Sequence, residues 1–274
     1  MFPKFSFDTV KTALKMPFND PKWATKLLIL LGVSLLNFII PILPSIVVMG
    51  YLYAYIKNVL NQGERAMLPE WSDFGRLLVD GLKYVGASIV YALPAIILLT
   101  AAFGFGFGGS ALGAIIGSNI SNNNPNMDGL GGAITVIFNV VGFGVMFLFI
   151  LMFVLFVLLL TVVQPVAITH MVEHDQFKAA FHIRQWWNVF KTNWKGFLLC
   201  ILVLFGLGLA INLATSILAA TFILAILLII IGPAAALYQQ LVSAILYSRA
   251  YRWAADHAAP AATPVKPVKK FNLD

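Results

Sequence analysis

The sequence predicts an all-α fold, a polytopic helical membrane protein, and three observations carry that prediction. Apolar residues make up 60% of the 274-residue chain and charged residues only 11%, against about 45–50% and about 25% in an average soluble domain. Several apolar runs exceed the ~18–20 residues that cross a ~30 Å hydrocarbon layer as a helix. The runs are also long and unbroken, whereas a transmembrane barrel needs ~10-residue segments of alternating character.

The runs are Leu27–Val59, Tyr84–Gly117, Ala133–Ile168, Phe197–Ile217 and Thr221–Tyr247. As a single helix the first would rise ~50 Å, more than a bilayer needs. The string Pro41-Ile42-Leu43-Pro44 sits at its middle, so it reads either as one kinked span or as a tight hairpin of two short ones. Charge placement favours the hairpin. With six spans, the lysines and arginines fall into groups at 4–26, 57–83, 178–195 and 249–270, which hold all 18. All four groups then lie on one side, and the Pro41–Pro44 turn, the loop at 104–132 and the turn near Ser216–Thr221 on the other carry none. Such segregation obeys the positive-inside rule and puts both termini in the cytoplasm. A single kinked span would set five basic residues against the other thirteen.

The expected architecture is therefore one membrane domain, 1–257, of six transmembrane helices in three hairpins (about 27–60, 84–169 and 196–252). A mixed polar and aromatic stretch precedes each hairpin and reads as an interfacial amphipathic helix, at about 5–16, 71–83 and 177–195. In the second, Phe74, Leu77, Leu78 and Leu82 recur at helical spacing, with Asp73, Arg76, Asp80 and Lys83 between them. In the third, aromatic rings mingle with Lys178, Arg184, Lys191 and Lys195. Trp71, Trp186, Trp187 and Trp194 are the expected interfacial anchors, since amphipathic rings settle at headgroup level. Three copies of helix-then-hairpin read as an internal triplication. Residues 258–274 are Pro- and Ala-rich and read as a flexible cytoplasmic tail. No removable signal peptide is expected, because no short hydrophobic core ends in a small-residue cleavage site.

The N-terminal third resembles the bacterial and archaeal membrane family known as domain of unknown function 4013. The resemblance rests on Phe18-Asn19-Asp20-Pro21 with Trp23 and Lys26, Gly50-Tyr51, Gly63, Leu68-Pro69-Glu70-Trp71, Asp73, Gly75 and Gly81-Leu82, over residues 15–95. It implies a multi-pass membrane protein and supplies no activity or catalytic residues.

Candidate chemistry is sparse. His170-Met-Val-Glu173-His174 matches the pattern of inverted zinc peptidases, with His170 and His174 on one helix face. A catalytic zinc wants a third protein ligand, and the chain has no glutamate beyond Glu173. No metal or cofactor is expected, with His170, Glu173 and His174 the only candidates. Gly104-x-Gly106-x-x-Gly109 fits a dinucleotide fingerprint in letters but follows a membrane span rather than a strand. Asn119-Ile-Ser121 is a formal glycosylation sequon. Cys200 is a lone cysteine inside an apolar run, so no disulfide forms within the chain.

Within the spans the polar residues are amides and hydroxyls, among them Asn37, Asn139, Gln164, Asn212, Gln239 and Gln240. Ion-coupled transporters need ionisable groups there, whereas amides more often tie helices together. Gly50, Pro165 and Pro233 fall in the returning helix of each hairpin, either as tolerated irregularities or as three breaks around a cavity. Glu70, Asp73 and Asp80 with Arg65, Arg76 and Lys83 form a balanced charged patch, either solvated or partner-binding. The net charge of +7 fits a cytoplasmic membrane surface better than nucleic acid. The reading is a non-enzymatic scaffold or accessory subunit of a membrane assembly in the cell (inner) membrane, in contact with the lipid bilayer and a protein partner. An uncoupled transporter or channel for a neutral or lipidic solute is the alternative, and a membrane-embedded metal hydrolase the weaker one.

Overall fold

Long stretches of Leu, Ile, Val, Phe and Ala satisfy every backbone group within one segment only as helices, and the chain does so almost throughout. The computed structural model describes residues 7–221 and 226–258, and among them there is no strand. The helices are α1 (Phe7–Lys15), α2 (Trp23–Leu35), α3 (Leu43–Gln62), α4 (Phe74–Asn123), α5 (Asp128–His174), α6 (Ile183–Thr192), α7 (Trp194–Ala220) and α8 (Leu228–His257). Among the described residues, five helical segments are long and apolar enough to cross a membrane: Leu43–Arg65, Phe74–Asn123, Pro125–His174, Trp194–Ala220 and Leu228–His257. Trp23–Phe38 is apolar but shorter.

The chain forms two compact units, one from residues up to Val85 together with those from Pro165 onward, the other Gly86–Gln164. In the first, α3 and α7 pack on α8, and α1, α2 and α6 also lie against it. Its interior holds Tyr51, Tyr53 and Tyr55 of α3 with Phe197, Ile245, Leu246 and Tyr251, all fully buried. The Leu27–Val59 run is not one helix. It stops after a 3-10 turn at Leu36–Phe38, and α3 starts at Leu43, with Ile42 at a φ of 77°. Asn37 holds the reversal: its Oδ1 accepts from the Ser45 N–H at 3.1 Å and the Ser45 hydroxyl at 2.7 Å. Further along α3, Gly50 and Gly81 let two backbones touch. A Cβ on Gly50 would overlap the Leu77 carbonyl, and one on Gly81 the Ile46 carbonyl.

In the second unit, α4 and α5 meet through small residues. A Cβ on Gly117 would strike Gly131, one on Gly113 would strike Phe138, and one on Gly109 would stand 3.3 Å from the Gly142 Cα. The Thr135 hydroxyl donates to the Gly113 and Gly131 carbonyls, each at 3.1 Å. Large side chains such as Val140, Phe147, Leu148, Leu155 and Leu158 stay exposed.

Several expectations are corrected. The glycine- and asparagine-rich stretch 104–132 is not a loop: α4 continues through it to Asn123, and only Asn124 and a 3-10 turn at Pro125–Met127 precede α5. Glycine argues for a loop by propensity, but here it supplies the close approach that packing against α5 requires. The second interfacial helix, 71–83, has no separate existence, because its helical part from Phe74 is the start of α4. The third, 177–195, is divided into a 3-10 turn at Phe177–Phe181, α6, and a break at Asn193. Three equivalent copies are therefore not seen. Helices α3, α5 and α8 also run unbroken through Gly50, Pro165 and Pro233, so the idea of three broken helices around a cavity falls. The turn expected near Ser216–Thr221 is helical up to Ala220. The tail from 259 onward and residues 5 and 6 of the first interfacial segment lie outside the described residues.

Candidate functional site

The charged residues of the first unit gather into connected nodes. The first is built on Asp20, 3% exposed, and Lys26, 5% exposed. Lys26 Nζ donates to Asp20 Oδ2 at 2.8 Å and to the Leu68 carbonyl at 2.8 Å, and pairs with Glu70 at 2.7 Å. The N–H groups of Lys22 and Leu68 donate to Asp20 at 2.7 and 3.1 Å. Burial alone would raise the Asp20 pKa, but the Lys26 and backbone hydrogen bonds outweigh it and hold the carboxyl below its usual range. The node thus pins the Leu68-Pro69-Glu70-Trp71 loop onto the start of α2. Trp71 completes it, donating Nε1–H to the Lys26 carbonyl at 3.3 Å and stacking on Tyr51 with ring centroids 4.7 Å apart.

The second node is centred on Asp175, just past the end of α5. Its φ of 49° is left-handed, a conformation that costs a non-glycine residue free energy, and three donors offset that cost. The Tyr53 hydroxyl donates at 2.8 Å, Lys57 Nζ at 2.9 Å and Lys83 Nζ at 3.1 Å. The Lys57 bond first, then those of Tyr53 and Lys83, outweigh partial burial and hold the Asp175 carboxyl far below its usual range. Lys83 also reaches Asp80 at 3.1 Å, and Arg76 lies 3.7 Å from Asp80. Between the two nodes is a polar cleft of about 220 Å³, lined in part by Lys57, Asn58, Glu70, Asp73, Arg76 and Asp80. The charged patch read from the sequence is this cleft, less Arg65, which has no carboxylate partner among the described residues, and Lys83, which turns to Asp80 and Asp175.

The third node contains the peptidase-like string. The ligand atoms of His170, Glu173 and His174 lie within 4.8 Å of one another, so among the described residues these three are the group that could hold a metal. Most of their ligand atoms already have partners. His170 Nδ1 lies 2.5 Å from the Tyr251 hydroxyl and its Nε2 3.2 Å from Gln185 Oε1. His174 Nδ1 lies 3.0 Å from the His170 carbonyl, and Glu173 accepts from Arg252 at 3.0 Å. A cation bound here would displace hydrogen bonds that join α5 to α6 and α8, and would sit beside a guanidinium. As arranged, the string is a tie between helices. Arg249, buried on α8, pairs with Glu64 in the same way.

The four tryptophans separate. Trp187 and Trp194 are exposed, Trp194 by 51%. Trp186 is 3% exposed and donates to the Ala180 carbonyl at 3.1 Å, so it packs inside the unit and does not anchor at an interface. Trp71 is half-buried and belongs to the Asp20–Lys26 node. Sequence reasoning overlooked Asp175 and Tyr53 as functional positions. The two are 122 residues apart in the chain, and nothing local in the sequence signals their meeting.

Among family models, residues 33–220 match the one described as protein of unknown function (DUF4013). The chain belongs to that family. The DUF4013 match reaches beyond the resemblance seen over residues 15–95, extending to the end of α7, and it begins after Asp20, Trp23 and Lys26. Within it, Gly50, Gly81, Leu68, Glu70 and Trp71 are the residues of the α3–α4 backbone contact and the clamped loop. No curated protein and no solved structure matches the chain.

Proposed function

We propose that this DUF4013 protein is a multi-pass integral membrane protein of the cell (inner) membrane, with both termini cytoplasmic, that acts as a non-enzymatic scaffold or accessory subunit of a membrane assembly. In this reading α2 joins the five longer apolar segments as a sixth, short span, which leaves every Lys and Arg on one side. The observation that carries the scaffold reading is that the clustered ionisable groups are spent on one another. Asp20 and Asp175 each accept several donors, both His170 nitrogens are engaged, and Glu173 holds Arg252. Such interlocks suit a body of fixed shape. The groups so engaged are not poised to exchange protons, as ion-coupled transport and acid–base catalysis both require. The exposed apolar faces of α4, α5 and α7 then meet lipid or a partner.

Extraction into lipid nanodiscs without detergent, followed by mass analysis, tests the reading. A protein partner retained in fixed stoichiometry through purification is the expected result; a chain isolated alone that conducts solute in proteoliposomes would overturn it. One observation favours the transport alternative: an apolar groove of about 540 Å³ in the second unit, lined by Gly104, Phe105, Gly108, Phe138 and Gly142 among others. A Cβ on Gly108 would meet nothing within 4 Å, so Gly108→Leu puts bulk at the groove from a position that accepts a Cβ freely. Solute flux abolished by Gly108→Leu would establish the alternative.

A further inference from the structure

Cations in the first unit divide into two populations. Among the described residues Lys26, Lys57, Arg76, Lys83, Arg249 and Arg252 each end on a carboxylate. Lys11, Lys15, Lys22, Arg65, Lys178, Arg184, Lys191 and Lys195 do not, and the last four of these, all exposed, fall in one stretch that runs from just before α6 to the start of α7. The sequence explains why. Between Asp175 and Asp256 the chain has no acidic residue, so the α6 segment is basic without local compensation.

These cations are organised rather than scattered. On α6, Arg184, Trp187 and Lys191 follow at i, i+3 and i+7, which places them on one face. Trp186 and Val189 fall on the opposite face and are buried. The exposed face is thus cationic and aromatic at once, with Ile183 beside it, also exposed. Lys191 Nζ sits 5.8 Å from the Trp187 ring centroid, and Lys195 Nζ 5.7 Å from that of Trp194. Trp194 and Lys195 open α7, a helix long and apolar enough to cross a membrane, so this pair stands where α7 would enter the hydrocarbon.

We propose that the exposed face of α6, continued by the first residues of α7, binds the headgroups of anionic phospholipids, with Arg184, Lys191 and Lys195 contacting phosphate and Trp187 and Trp194 seated at the glycerol level. This deepens the membrane reading above and rests on it. Each ring draws its cation to headgroup depth through cation–π attraction, and each ring is itself at its preferred depth there. An acidic protein would complement the charge as well. It would not need the two exposed indoles level with the entry of an apolar helix, and the lipid accounts for both.

The test uses the full-length chain in nanodiscs holding phosphatidylcholine and phosphatidylglycerol in equal amounts, with lipids that stay bound counted by native mass spectrometry. Wild type should retain phosphatidylglycerol in preference, and added salt should weaken the preference, as screening requires. Arg184→Gln/Lys191→Gln/Lys195→Gln should lose about fivefold in preference for each charge removed. The charge-keeping variant Arg184→Lys/Lys191→Arg/Lys195→Arg should behave as wild type. Lys57→Gln, which removes a cation already paired with Asp175, should leave the lipid ratio unchanged. A wild-type lipid ratio equal to the bulk, or an undiminished preference in the glutamine variant, overturns the proposal while leaving the membrane reading intact. Displacement of a stoichiometric acidic protein by the same glutamine substitutions also overturns it. Failure of the chain to enter nanodiscs at all overturns both.

Discussion

The two units solve the same problem, stable association of apolar helices, by different means. The first uses direct backbone contact at Gly50 and Gly81 and then locks its helix ends with ion pairs around Asp20, Asp175 and Glu173. The second relies on small residues of α4 and α5 fitting together at Gly109, Gly113, Gly117, Gly131 and Gly142, while its large side chains point outward. Among its described residues Asp128 is the one residue of Asp, Glu, Lys, Arg or His. Polar interlocks fix a geometry at the cost of desolvating charge. Close packing of small residues fixes one without that cost and suits a lipid environment, where apolar burial gives no drive. The first unit thus takes its shape from polar locks at its helix ends, and the second from close packing of small residues.

The largest expected effect sets one kind of glycine against another. Gly81→Leu forces a side chain into the Ile46 backbone and should cost more than ~3 kcal/mol, enough to prevent folding. Gly144→Ala in the second unit, where a Cβ meets nothing within 4 Å, should be neutral or stabilise by up to ~1 kcal/mol. Thermal unfolding in nanodiscs reads both. Next comes Lys26→Met, which leaves the buried Asp20 carboxylate with backbone donors but no cation and should cost about 3–5 kcal/mol. Adding Asp20→Asn should restore part of that loss, which a double-mutant cycle would measure. Acidification acts on the same groups. The carboxyls of Asp20 and Asp175 are both held below their usual range in the folded chain. Their contribution is therefore complete above the unfolded carboxyl pKa of about 3.9 and is lost as pH falls below it toward the folded values. Unfolding temperature should be flat with respect to these two groups above about pH 5, and Asp175→Asn should flatten part of the fall below it. Smallest is Tyr53→Phe, which removes one hydrogen bond to Asp175 and should cost about 1–2 kcal/mol.

What the sequence discloses follows the same division. The helical membrane character is legible because hydropathy is a local property, and so is the interruption at Pro41–Pro44, where proline removes donors and restricts its predecessor. The stretch 104–132 misleads because glycine and asparagine are read by propensity, whereas Gly109, Gly113 and Gly117 are there to receive α5. The start of α4 misleads in the opposite sense: an amphipathic pattern at 74–83 is the polar end of a longer helix. In the site, the string Leu68-Pro69-Glu70-Trp71 stands out in the sequence, yet its partner Lys26 lies 42 residues before Leu68. The peptidase-like string was visible, but not the engagement of His170 by Tyr251, 81 residues away. Pairings of that range are set by the tertiary fold and leave no periodicity behind.

The claim on which the rest depends is that the charged end of the first unit faces the cytoplasm and the α4–α5 turn faces outward. Single cysteines at Ser72 and at Asn123, introduced with the buried Cys200 replaced by alanine, test it in intact cells with a membrane-impermeant thiol reagent. The account predicts that the Asn123 cysteine is labelled from outside and that the Ser72 cysteine is labelled only after the cells are opened. Labelling of the Ser72 cysteine in intact cells would contradict it.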